Sequence, residues 1–264
     1  MDSLISHLST VKPENLDYGI DTEKYNQYLA LLLPEDRVIV EGIISRLRFI
    51  SYEELLSALN RSLDDFLSKN KSLNKVYVAF PSHKIGSENW LVAQVWHRLE
   101  ALNPQLISGN AILDSNCEEY HILFIDDAIY TGNNWCGFID SLTYDNNPEK
   151  QTENKNRFHY HVVVPFRTED SKRFIERNAG FCCIPYFYQH EVLSNCRNLF
   201  PTEELQDRFK MESTICSPTY FAHKIANEFG CWPQILVDGY LPHTGKNFGT
   251  ILKNIPNKEF LSKK

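Results

Sequence analysis

Apolar residues recur at helical spacing up to about residue 70 and then change to short unbroken runs. The chain therefore predicts helices first and a sheet afterwards. Thr22 to Leu33 carries a helical pattern that stops before Pro34, and Asp36 to Ile50 repeats it with Val38, Val40, Ile43, Ile44 and Leu47. Ser51-Tyr52-Glu53-Glu54 has the form of a capping box, and the helix it opens runs through Leu55, Leu56, Leu59, Leu63 and Phe66 to about Asn70. From Lys75 the rhythm differs. Lys75 to Phe80, Tyr120 to Ile125, Phe158 to Val164 and Phe181 to Tyr188 read as buried strands. Between them, Ser87 to Leu102, Gly132 to Tyr144 and Thr168 to Asn178 read as helices, and Asp145 to Arg157 as a polar surface loop. A further helix is predicted over Pro218 to Phe229.

Strands alternating with helices predict an α/β fold with a mostly parallel sheet. The expected organisation is a helical N-terminal region over residues 1–73, an α/β core over 74–200 and a mixed C-terminal hood over 201–264.

The 264 residues are 42% hydrophobic and 23% charged, enough apolar material to bury a core. The formal charge of -7 argues against a generally basic nucleic-acid-binding surface. No apolar run reaches the ~18 residues a membrane span needs, and MDSLISHLST lacks the form of a secretory leader. Seven cysteines form no Cys-x-x-Cys pair, so free thiols in a reducing cytoplasm are expected. Cys182-Cys183 falls within a predicted buried strand rather than a redox motif.

The segment richest in chemistry is Ile122 to Asn134, ILFIDDAIYTGNN. An apolar strand ends in Asp126 and Asp127, a turn with Thr131 and Gly132 follows, and a helix opens. Ligands of open parallel sheets bind outside the carboxyl ends of strands. Adjacent carboxylates there accept from ribose hydroxyls or orient the water shell of Mg²⁺. A turn over Ala128, Ile129, Tyr130, Thr131, Gly132, Asn133 and Asn134 would present backbone N–H groups to a phosphate at a helix start. The plain alternative is a strand-end turn capped by Asp.

This segment resembles the phosphoribosyl-pyrophosphate (PRPP) motif of type I phosphoribosyltransferases, which has an apolar strand, two acids, three residues and Thr-Gly. The resemblance implies a sheet of phosphoribosyltransferase type. It implies that Asp126 and Asp127 hold the ribose hydroxyls and the Mg²⁺ shell, and that Ala128 to Asn134 cradles the 5′-phosphate. Pro81 to Ser87, after the first sheet strand, would be the pyrophosphate loop, with Ser82, Lys84, Gly86 and Ser87 as contacts. Members acting on 6-oxopurines carry an acid one residue before the Thr-Gly. Tyr130 stands there in this chain, which disfavours purine salvage.

The layout is also similar to a divergent phosphoribosyltransferase-like branch of bacterial conflict islands, through Tyr220-Phe221-Ala222-His223-Lys224 and a Gly239-Tyr240 stretch leading to Asn247. That likeness implies a role in a retron-type antiviral system. The implied partners are a reverse transcriptase with its non-coding RNA and a winged-helix companion. The enzyme reading is phosphoribosyl transfer with release of pyrophosphate. The alternative is an inactive PRPP- or nucleotide-sensing or structural subunit.

Two further motifs carry weaker readings. His159-Tyr160-His161 puts two imidazoles on one strand face, a start for a metal site or simply a strand surface. His243-Thr244-Gly245-Lys246 has the end of a phosphate loop without its upstream glycine or strand.

Overall fold

A computed structural model of the chain describes residues 2–10, 17–73, 75–79, 87–107, 119–130, 136–137, 157–178, 186–193, 196–209, 217–221 and 234–254. In chain order the elements are α1 (Asp2–Ser9), α2 (Thr22–Leu31), α3 (Pro34–Ile44), β1 (Arg48–Ile50), α4 (Tyr52–Lys69), β2 (Val76–Ala79), α5 (Ser87–Leu99), β3 (Pro104–Ile107), β4 (Tyr120–Ile125) and β5 (Ala128–Ile129). They continue with β6 (Phe158–Thr168), α6 (Glu169–Asn178), β7 (Tyr186–Leu193), α7 (Glu203–Arg208), β8 (Thr219–Phe221), α8 (Gln234–Asp238), β9 (Tyr240–Leu241) and β10 (Lys246–Asn247). The chain divides into two compact units, one of residues 1–11, 55–192 and 264, the other of 12–54 and 193–263.

The first unit holds a mostly parallel sheet with the strand path β3-β2-β4-β6. β2 pairs parallel with β3 and β4, β4 and β5 both pair parallel with β6, and β7 also pairs with β6. Alternation along the strands sorts side chains to two faces. Tyr120, Ile122, Tyr160, Val162 and Val164 join Ile175 of α6 in one core cluster. His161 lies on the opposite face, with the Phe66 ring of α4 edge-on to it at 5.3 Å between centroids. Helix α4 earns its place through Leu55, Ala58, Leu59, Ser62, Leu63 and Phe66, all buried along one stripe. Helix α5 buries Trp90, Leu91, Val92, Val95 and Leu99. Its Gln94 donates to the carbonyls of Leu8 and Ser9 at 3.0 and 3.1 Å, which satisfies exposed acceptors at the end of α1.

In the second unit β1 pairs parallel with β8, from Arg48↔Thr219 to Ile50↔Phe221. The Tyr28 hydroxyl of α2 donates to the Tyr240 carbonyl at 2.6 Å. Arg208 of α7 donates at 2.8 Å to the carboxylate of Asp36, which is fully buried on α3. The capping box forms as the sequence predicts, since Glu54 N–H donates to Ser51 Oγ at 3.1 Å.

Three predicted elements are corrected. The helix expected over Asp36 to Ile50 ends at Ile44, because Arg48–Ile50 is recruited as a strand by β8. The helix expected from Pro218 instead begins as strand Thr219–Phe221, and 222–229 lie outside the described residues. The strand expected to end at Val164 runs on to Thr168, straight through Pro165. The strand predicted over Phe181 to Tyr188 is described from Tyr186 and reaches Leu193, while Cys182 and Cys183 lie outside the described residues. Cys136 and Cys196 are in no disulfide. No described helix is long and apolar enough to cross a membrane.

Gly239 sits at φ +57, and a Cβ there would meet the Gly249 carbonyl oxygen at 2.3 Å. Gly239→Ala is therefore expected to destabilise the second unit by more than about 1 kcal/mol. A thermal melt checks this, and an unchanged midpoint would show that the close approach is not needed.

Candidate functional site

The acidic pair lies where β4 becomes β5. Ile125 faces Val163 and Ala128 faces Phe166, so the register on β6 does not shift across the two aspartates. What changes is the hydrogen bonding. Asp126 N–H donates to the Val163 carbonyl at 3.3 Å. In a parallel ladder, the donor owed next to the Asp126 carbonyl is the amide of residue 165. Residue 165 is proline and has no N–H. The ladder is therefore broken opposite the aspartates by the sequence of the neighbouring strand.

Within the break each carboxylate turns back on the next peptide. Asp127 N–H donates to Asp126 Oδ1 at 2.8 Å, and Ala128 N–H donates to Asp127 Oδ1 at 2.6 Å. Asp127 is fully buried, whereas Asp126 is partly exposed. Hydrogen bonds from amides hold these groups in fixed orientations.

The segment after the pair differs from an opening turn. Ala128 and Ile129 continue as strand, and both are buried, as is Tyr130. The Tyr130 carbonyl accepts from the Thr168 hydroxyl at 2.5 Å. The same hydroxyl accepts from Ser171 N–H at 3.1 Å, and Ser171 Oγ returns a bond to the Thr168 carbonyl at 2.7 Å. Thr168 thus caps α6 and grips the strand after the acidic pair. Thr131, Gly132, Asn133 and Asn134, and likewise Ser82, Lys84 and Gly86, lie outside the described residues, and Ser87 begins α5.

A second polar group occupies the other end of the strands. His159 and His161 are joined there by His121 of β4, which faces His159 across the ladder. His121 Nδ1 and His161 Nε2 lie 3.1 Å apart, and the His121 and His159 rings stack at 4.9 Å. His161 Nδ1 is 3.3 Å from the Tyr188 hydroxyl, which accepts from Asn70 at 2.8 Å. Glu119 approaches the Nε2 atoms of His121 and His159 at 3.9 Å each. The nitrogens form a chain rather than converging, and among the described residues no group of three or more His, Cys, Asp or Glu is placed to hold a metal. The paired openings Tyr120-His121 and Phe158-His159 were the sequence signal for His121, since parallel strands in register bring like positions together.

Two further polar groups serve the fold. Arg98 donates to the side chain of Asn60 at 2.8 Å and pairs with Asp64, tying α5 to α4. His243 to Gly245 turns between antiparallel β9 and β10, with Gly245 N–H on the Leu241 carbonyl at 2.9 Å, so it is a hairpin and not a phosphate loop.

The chain is thus an α/β protein with a mostly parallel sheet and an acidic pair at the end of an inner strand. Residues 33–257 match the family model described as PRTase-CE, and the chain belongs to the PRTase-CE family. Among solved structures, it is similar to a xanthine-guanine-hypoxanthine phosphoribosyltransferase of Helicobacter pylori. The TM-score is 0.34 at 12% identity, over 55% of this chain and 86% of that one. A hypoxanthine-guanine-xanthine phosphoribosyltransferase gives a TM-score of 0.31 at 12% identity, over 69% of this chain and 87% of that one. No curated protein matches the chain.

Burial, and then the neighbouring His121 and His159, push the His161 imidazole down to about 4, and burial also lowers His121. Unfolded histidine titrates near ~6.5. The stability tied to neutral His161 is therefore complete above that value and is lost as pH falls toward 4. Denaturant titrations should show a loss of roughly 2 kcal/mol between pH 7 and pH 5. His161→Phe should flatten that slope, and a wild-type stability that is level across this window would contradict the assignment.

Proposed function

We propose that the break between β4 and β5 binds PRPP or a related nucleotide together with Mg²⁺. The supporting observation is a pair of carboxylates, fixed by adjacent amides, at the end of an inner parallel strand in a PRTase-CE chain. Ribose presents vicinal hydroxyls, and Asp126 and Asp127 are acceptors of the right kind for them. Two hard carboxylates on adjacent residues also suit Mg²⁺, which usually keeps several waters and takes one or two protein carboxylates with substrate phosphates. When bound, the ion would neutralise charge on the pyrophosphate. The 5′-phosphate seat in this reading is Thr131 to Asn134. Ala128, Ile129 and Tyr130 lead into it as buried strand, and Ser82, Lys84, Gly86 and Ser87 take the pyrophosphate.

If transfer follows binding, the work of the chain is positional and electrostatic. The aspartates would hold the sugar while pyrophosphate departs and the acceptor attacks the same carbon. Tyr130 offers a buried phenol where 6-oxopurine enzymes resembling this one place an acid, so an acceptor needing a carboxylate base at that point does not fit. The same replacement favours a second reading, in which the site senses its ligand without turnover. Either way the chain would serve as effector or component of a retron-type antiviral system in the bacterial cytoplasm. Its partners would be a reverse transcriptase with its non-coding RNA and a winged-helix companion. The whole-chain resemblance supports that role.

Isothermal titration with PRPP checks the binding claim. Heat should appear with Mg²⁺ and fall at least tenfold in affinity for Asp127→Asn and Asp126→Asn. An absence of heat from the wild type, with the protein folded, removes the reading. Assay of released pyrophosphate with candidate acceptors then separates transferase from sensor.

A further inference from the structure

Proline is rare inside a strand that has neighbours to pair with, because it withholds a ladder hydrogen bond. Pro165 nevertheless sits within the eleven-residue β6, buried, with the ladder running before it against β4 and after it against β5. The hydrogen bond it withholds is the one owed to Asp126. Three residues later Thr168 takes hold of the Tyr130 carbonyl. The acidic pair thus lies between a missing bond and an added one, and both are set by β6.

We propose that Pro165 and Thr168 are positioning residues for the acidic pair of the ligand site: Pro165 keeps the Asp126–Asp127 peptide out of the ladder, and Thr168 holds the Tyr130 carbonyl at the end of the strand that follows the pair. This rests on the reading of the break as a ligand site. An amide at 165 would bond the Asp126 carbonyl and pull that peptide into regular pleat. In regular strand, successive side chains point to opposite faces, so Asp126 and Asp127 would no longer turn back on the amides that follow them. The Thr168 hydroxyl has two partners, Tyr130 and Ser171, and serine retains both while valine retains neither.

The test uses the full chain and two readouts. Amide hydrogen exchange in the free protein should show the new amide at residue 165 of Pro165→Val strongly protected, as it bonds the Asp126 carbonyl. Titration with PRPP and Mg²⁺ should show binding at least tenfold weaker in Pro165→Val and in Thr168→Val, and close to wild type in Thr168→Ser. A fast-exchanging amide at residue 165 in Pro165→Val overturns the proposal whatever the ligand does. So does wild-type affinity in Pro165→Val or Thr168→Val, or equal loss in Thr168→Ser and Thr168→Val, which would mark Thr168 as a mere fold residue. If Pro165→Val unfolds, the serine and valine variants at 168 decide alone. A wild type that binds no PRPP is a separate result: it overturns the ligand reading and this inference with it.

Discussion

One absent hydrogen bond shapes the centre of the sheet. β4, the acidic pair and β5 run in unchanged register along β6, so they would form one continuous strand but for Pro165. A continuous strand would commit the backbone groups that face β6 to the ladder and leave carboxylates at 126 and 127 on opposite faces. The break instead gives each carboxylate the next amide as its partner. The cost is confined to one bond, because Thr168 takes up the chain again on the far side and the flanking residues stay buried.

The two ends of the same strands are built for different purposes. At the carboxyl end the polar groups are acids held by amides beside a partly exposed edge. At the amino end they are imidazoles, with His161 packed against Phe66, Tyr186 and Tyr188 and His121 stacked on His159. Burial disfavours charge on His121 and His161. A single pair of strands thereby separates a candidate ligand edge from a desolvated histidine chain that stabilises the sheet near neutral pH.

Much of this was legible in the residues. The apolar tetrad before Asp126, the Ser51–Glu54 box and the stripe on α4 each encode their structure locally. The remainder depends on distant partners. Arg48–Ile50 carries no period of its own that marks a strand, and it becomes one because Thr219–Phe221 lies alongside. Pro165 reads as the end of a strand, since a proline offers no amide to a ladder. β6 continues through it because Phe166 and Arg167 find Ala128 and Ile129 in register. For the same reason Ala128 and Ile129 are strand where a turn was expected. His121 was hidden because nothing within its own strand indicates which residue will face it.

The account stands on a sugar phosphate bound at Asp126 and Asp127. A crystal structure of the full chain grown with PRPP and Mg²⁺ tests this most directly. It should show the ribose hydroxyls within hydrogen-bond distance of both carboxylates and the 5′-phosphate against residues 131–134. Density for the ligand elsewhere, with the two aspartates still closed on their own backbone amides, would contradict it.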